Sequence, residues 1–356
     1  MLSVLHDSSL SENKKQCIVE YSIIPLLAAS GNNPAIDLNV AIPDAFLLPY
    51  LREFLPSLQT RNGNHTIPYL CSLLKLNSLL AKFAADRVRA EHGPIIKFAT
   101  DLYESSNDLI QAWAVYFLCQ YTNTVQFSEV HASRLFVMIL NMYKNRNQDL
   151  VLKSARLLIP SMNQIGKEYK EKIFLQVRQR LCTSEQHRDQ QIHILHLIVQ
   201  NLKFFYVTHK SVSQIILNRV RFLSVNSRNA YNNRKLYIDI LCVVVSFLLR
   251  QKREDATMGR HCTPFSSPDP KMKGINSFLL VESFNLAVYI ILLHSMTYGE
   301  QTLCQRGFAL IRTIFSISNE IPIDLNRISQ QFSQHQRTLL FYTGERRIPL
   351  SFLRHA

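Results

Sequence analysis

Glycine occurs only nine times in 356 residues, against an average usage of about 7%. Sheet and α/β folds need glycine at tight turns and phosphate loops, so its scarcity points to helices. No G-x-x-x-x-G-K-[ST], G-x-S-x-G or H-E-x-x-H pattern occurs. Nucleotide cradles, nucleophile elbows and zinc-protease helices therefore lack their signatures. Seven cysteines are present (Cys17, Cys71, Cys119, Cys182, Cys242, Cys262 and Cys304), and none forms a C-x-x-C pair. An odd number of thiols, mostly inside apolar helical stretches, reads as reduced, buried residues of the cytoplasm or nucleus. The sequon at Asn64 then carries little meaning. The N-terminal "MLSVLHDSSLSENKK" has acids and no apolar h-region, so no signal peptide is expected.

Long apolar runs are missing as well. The densest, "ILCVVVSFLL" within Asn232–Asp255, has about 10 residues or ~15 Å of helix, against ~30 Å of bilayer hydrocarbon. "FLLVESFNLAVYIILL" (Phe278 to Leu293) is longer but is interrupted by Glu282 and Asn285. Both read as interior helices rather than membrane spans.

Fragments of catalytic motifs fail on their neighbours. "HRD" at His187–Asp189 matches a kinase catalytic loop only until the fifth residue after the Asp, where a metal-binding Asn is needed and Ile194 stands. His193 and His196 share a helix face at i, i+3, but a zinc site needs three or four ligands and no acid or Cys is suitably spaced nearby. His261 and Cys262 stand without partners in a loop. No cofactor, metal or catalytic residue is expected.

What the sequence does have is helical periodicity. Apolar residues recur at three- and four-residue spacing in a dozen or so rods of about 15–22 residues. They cover about Lys14–Ser30, where Pro25 predicts a kink, and then the stretch from Ile67, whose apolar face is Leu70, Leu73, Leu74, Leu76, Leu79, Leu80 and Phe83. Pro94 suits the first turn of the next rod. Others run over about Asp108–Thr124, Glu129–Lys144, Asp149–Asn163, Tyr169–Leu181, Arg188–Tyr206 and Val212–Leu223. In Asn232–Asp255, Leu236, Ile240, Val243, Val244, Phe247 and Leu248 form one stripe. Tyr237, Leu241, Val245 and Leu249 widen it until little solvent face remains, as in a helix buried on several sides. Two further rods are expected at about Ile275–Ser295 and Glu300–Ser316. The expected division is a disordered 1–13, a helical-repeat segment 14–255, a mobile Pro/Ser/basic loop 256–274, a further repeat 275–318 and a weakly ordered tail 319–356. Helix pairs of ~40–47 residues describe an all-α, HEAT-like α-solenoid. Periodicity alone does not separate that from an irregular bundle.

Net charge is +14, which favours an acidic partner. The densest basic region is Arg250, Lys252 and Arg253 with Lys271 and Lys273 across the loop. It reads either as contact with nucleic acid or an acidic partner, or as cations closing a helix C-terminus, where the backbone dipole favours them. Lys235 is within reach of Asp239 at i+4. "SSPDP" offers Ser267 as a weak phosphorylation signal.

Three stretches in order, Val19–Ser30, Gln191–Leu223 and Asn233–Asp255, resemble the HEAT-repeat region of the transformation/transcription domain-associated protein (TRRAP) family of pseudokinase scaffolds related to the phosphatidylinositol-3-kinase-like kinases. Arg234, Lys235, Leu236 and Asp239 match the family's N/Q-R-K-L-A-x-D-L helix, with Tyr237 in place of its small Ala. Val151–Gln164 and Gly299–Phe315 are similar to further family helices. The collinear resemblance spans about Lys14–Ser316. It implies a non-catalytic α-solenoid in nuclear histone acetyltransferase complexes of the SAGA and NuA4 (TIP60) types, whose partners are complex subunits and transcription activators. Direct binding of nucleic acid by a basic solenoid, or another HEAT adaptor such as a nuclear transport receptor, are the alternatives.

Overall fold

Two of the described helices begin where a side chain takes up the first free backbone N–H groups. A computed structural model describes residues 2–33, 42–60, 65–125, 128–182, 188–206, 216, 231–257 and 301–316. Asn107 accepts from the amides of Leu109 and Ile110, starting the helix Asp108–Thr124, and Ser128 accepts from that of His131, starting Glu129–Asn141. The first boundary is the one periodicity predicts, residue for residue.

The chain divides into two compact units, Met1–Val177 and Arg178–Ala356. The first unit contains α1 (Glu12–Ile18), α2 (Ile24–Asn32), α3 (Asp44–Pro49), α4 (Leu55–Thr60), α5 (Ile67–Phe83), α6 (Ala85–Ala90), α7 (His92–Tyr103), α8 (Asp108–Thr124), α9 (Glu129–Asn141) and α10 (Gln148–Gln164). The helix α11 (Lys167–Leu181) carries the boundary. The second unit holds α12 (Arg188–Gln200), the turn α13 (Leu202–Phe205), α14 (Tyr231–Thr257) and α15 (Gln301–Ser316). Among the described residues every element is helical and none is a strand.

In the first unit α2, α5, α8 and α10 lie side by side, while α7 and α9 pack against α8 from the other layer and α4 packs on α7. The starts of α5, α8 and α10 at Ile67, Asp108 and Gln148 are 41 and 40 residues apart. That is the spacing of HEAT-type helix pairs, and the fold is an all-α helical-repeat solenoid. α8 sits at the centre. Ile110, Ala112, Ala114, Val115, Phe117, Leu118, Cys119 and Tyr121 are all buried in it, on three sides of the helix. The two alanines keep its flanks narrow enough for close neighbours. In α5 the predicted face is buried except for the half-buried Leu79 and Phe83. Its buried Ser72 and Ser78 are satisfied by the carbonyls four residues back, of Pro68 and Leu74.

Side-chain bonds tie the first helices to α5. Glu20 Oε1 accepts from Lys75 Nζ at 2.7 Å and, 2.8 Å from Ser72 Oγ, shares that hydroxyl's single hydrogen with the Pro68 carbonyl. Glu12 pairs with His65 Nδ1, and its Oε2 accepts from the Thr66 amide at 2.8 Å, just before α5 begins. The buried Tyr50 hydroxyl donates to Asn77 Oδ1 at 2.9 Å. Gly31 meets the flat of Phe83 so closely that an added Cβ would lie 2.3 Å from the ring.

At Pro25, where a kink is expected, and at Pro56 the helix first widens by a π-turn. Val19–Ile23 and Tyr50–Phe54 are π-helical, each closed by an amide reaching five residues back, Ile24 to Val19 and Leu55 to Tyr50. Each is followed by an aliphatic residue and a proline, Ile24-Pro25 and Leu55-Pro56. The wider turn accommodates a ring that lacks an N–H, so the path continues as a new α-helix. Pro94 lies in the first turn of α7, as predicted.

Other expectations need correction. Residues 1–13 are not disordered throughout: Leu2–His6 forms a 3-10 turn that buries Leu2 and Leu5, and Lys15 Nζ donates to the Leu5 carbonyl at 2.7 Å. Two leucines three apart gave too short a pattern to register as a helix. The rod Arg188–Tyr206 breaks at Asn201, between α12 and α13. Of the five cysteines described, Cys71 and Cys119 are buried, but Cys17, Cys182 and Cys242 are exposed. Burial pushes the Cys71 thiol up to about 11 and the Cys119 thiol higher still. The rod at Ile275–Ser295, most of Val212–Leu223, the loop beyond Thr257 and the tail 319–356 lie outside the described residues.

Two tests follow from the packing of the first helices. Gly31→Ala is expected to lower stability by about 1–3 kcal/mol, read as a lower urea midpoint, because Phe83 must leave its place. Burial alone would raise the Glu12 carboxyl, but the bonds from Thr66 and His65 outweigh it and hold the group below the ordinary 4.5. Its stabilisation is therefore present above that value and lost as pH falls through the lower folded-state value. Glu12→Gln should cost on the order of 1 kcal/mol near neutral pH, with the gap to the parent chain closing in denaturation series taken below pH 4.

Candidate functional site

The basic region singled out in the sequence falls on α14, whose burial explains much of its chemistry. Leu236, Tyr237, Ile238, Ile240, Leu241, Val243, Val244, Val245 and Phe247 are buried, between α12 and α15. The remaining strip to solvent carries Cys242, Ser246, Arg250 and Arg253, with Lys235 and Asp239 half-buried. Asp239 takes its partner from α15, Arg306 Nη1 at 2.9 Å, rather than from the expected Lys235. An arginine arriving from another helix approaches the carboxylate directly, whereas Lys235 sits in the weaker order for an i,i+4 pair.

α14 also runs past the basic run to Thr257, so Arg250, Lys252 and Arg253 do not occupy its last turn. The dipole therefore does not account for them. Arg250 is held by side chains instead: its Nε donates to Glu254 Oε1 at 3.0 Å and its guanidinium lies 4.0 Å from the centre of the Tyr206 ring. The Tyr206 hydroxyl closes the set by donating to Glu254 Oε2 at 2.8 Å. Arg253 is exposed. The Lys252 side chain, Lys271 and Lys273 lie outside what is described.

His193 is buried and His196 half-buried on α12. Among the described residues no group of three or more His, Cys, Asp or Glu side chains is placed to hold a metal ion. No described helix is long and apolar enough to cross a membrane.

A second surface was not singled out in the sequence. Bonds at both ends fix α8 and α10 as parallel neighbours: Asn145 Nδ2 donates to the Asp108 carbonyl at 2.7 Å, and Ser161 Oγ to Asn123 Oδ1 at 3.2 Å. α5 is tied to α8 by Thr124 Oγ1 donating to the Ala81 carbonyl at 2.9 Å, and by Lys75 Nζ lying 5.3 Å from the Trp113 ring centre. Trp113 meets Tyr116 edge-on at 5.3 Å. Leu109, Trp113 and Tyr116 thus form the one stripe of α8 that its neighbours leave uncovered, and Lys82, Lys153 and Arg156 are exposed on the flanking helices. The signal available in the sequence was Leu109, Trp113 and Tyr116 at i, i+4 and i+7, overlooked because such a stripe usually faces a core.

A family model described as the Tra1 HEAT repeat ring region matches residues 1–263. The match takes in the N-terminal residues ahead of Lys14 and stops short of α15. The chain is also similar to the probable transcription-associated protein 1 of Dictyostelium discoideum, at 24% identity over 208 residues. Those residues are 57% of this chain and 4% of that relative. With its helix pairs repeating every 40 or so residues and most of its length matched, this chain belongs to the Tra1 HEAT repeat ring family.

Proposed function

We propose that the chain is a non-catalytic helical scaffold segment of a transcription coactivator subunit, acting in the nucleus within histone acetyltransferase complexes of the SAGA or NuA4 (TIP60) type. The observation that carries this reading is the family match over residues 1–263, supported by a relative whose name places it in transcription. Its partners are complex subunits and transcription activators, bound on helix surfaces rather than in a catalytic pocket. A helical-repeat stack suits the task, since each helix pair adds surface without a new core. The chain matches a small fraction of the relative's length, and the role proposed is that of a segment within a larger assembly.

The test is affinity purification of the tagged chain from nuclear extract, followed by mass spectrometry. Acetyltransferase-complex subunits should be recovered with the folded chain and not with a denatured control. Their absence from a folded, soluble preparation contradicts the reading.

The net charge of +14 favours one second reading, direct binding of nucleic acid. A solenoid neutralising several phosphates would lose roughly 10³–10⁵ in affinity between 50 and 200 mM salt. The scaffold reading expects weak duplex binding without that dependence, measured by anisotropy of a labelled DNA.

A further inference from the structure

We propose that Arg188, at the start of α12, and Tyr237, on α14, form a binding site for the phosphate group of a small molecule. The inference concerns the second unit alone and does not depend on the scaffold reading.

The guanidinium is the first argument. Arg188 Nε and Nη2 are both buried, and neither has a hydrogen-bond partner. These two nitrogens form the side-on edge of the guanidinium, whose parallel N–H groups take two oxygens of an oxyanion at once. Buried donors left unmade are costly, and more so on a charged group. The charge is unmatched as well. Among the described residues no acid pairs with Arg188: Asp239 is held by Arg306, Glu254 by Arg250 and Tyr206, and the neighbouring Asp189 is exposed. Arg188 is moreover the first residue of α12, a helix of 13 residues, whose backbone already makes that end positive. A half-buried cation there is destabilising until an anion joins it.

The second argument is the neighbour. Tyr237 is 2% exposed on α14, which packs against α12. Burial raises its phenol, and the charge and hydrogen bonding of Arg188 beside it work the other way. A phenol in that place can donate its O–H to an anion held by the guanidinium. Fork and phenol then offer three donors from two helices. A tetrahedral phosphate has an oxygen for each, whereas a planar carboxylate is matched by the fork alone. Arg188 as a whole is half-buried, so its sealed edge lies within a side chain's depth of solvent, and a turn of the guanidinium brings it to a small anion. Tyr237 also stands in place of the small Ala of the family's helix, so this donor sets the chain apart from the pattern it otherwise follows.

The probe is inorganic phosphate, measured by equilibrium dialysis against the full chain at constant ionic strength. One saturable site is expected. Arg188→Lys keeps the charge but loses the fork, and should weaken binding roughly tenfold or more. Tyr237→Phe should weaken it by a smaller factor, and Arg188→Met should abolish it. Melting separates a ligand site from a purely structural arginine. In phosphate-free chloride buffer Arg188→Met should melt no lower than the parent chain, because the unmatched charge is gone. Added phosphate should then raise the midpoint of the parent alone. Glycerol phosphate distinguishes the sources: tighter binding than inorganic phosphate marks a phosphate monoester, weaker binding the free ion, and both support the site. Acetate competing as well as phosphate, undiminished binding by Arg188→Met, or the same loss of stability by Arg188→Met with and without phosphate overturns the proposal.

Discussion

The burial of α8 on three sides is the constraint from which the first unit follows. A helix with Ile110, Val115, Phe117, Leu118 and Cys119 pointing in several directions has no stable state as a surface helix. It needs α5 and α10 beside it and α7 and α9 behind it. Once those places are filled, helix pairs stack at a spacing of about 40 residues, and the polar ties at Asp108 and Asn123 keep α10 in step with α8. The only stripe left over is Leu109, Trp113 and Tyr116, which is why an apolar strip reaches the surface there.

α14 answers the same constraint in the second unit. Nine buried apolar residues fill its middle, and some of its polar positions are tied to other elements. Arg306 reaches Asp239, and Tyr206 with Arg250 encloses the Glu254 carboxylate. Each pair is partly exposed and so adds little to stability. Their effect is geometric, fixing how neighbouring segments meet the helix. This arrangement of stacked helices agrees with a family described by a ring of HEAT repeats.

Much of this was legible in the sequence because helices announce themselves locally. Periodicity placed Asp108–Thr124 to the residue and named most of the buried face of α5 and, in α14, the buried Leu236, Ile240, Val243, Val244 and Phe247. The π-turns before Pro25 and Pro56 were not legible, since a proline signals a missing N–H but not the backbone's response to it. The structured N-terminal turn escaped because only Leu2 and Leu5 mark it. The partners of Asp239 and Arg250 were missed for a common reason: a charge pattern along one helix says nothing about which distant residue, Arg306 or Tyr206, the fold delivers. The candidate surface lay hidden in the same way. Leu109, Trp113 and Tyr116 are plain on the helix, but only the packing shows that their side of α8 stays open.

Native-state hydrogen–deuterium exchange on the full chain tests the central claim most directly. If α8 is the element that its neighbours are built around, amides between Ile110 and Tyr121 should exchange the most slowly in the first unit. Those of α1, α3 and α4 at its start should exchange faster. Uniform exchange across these helices, or faster exchange in α8 than in α3, would contradict the account.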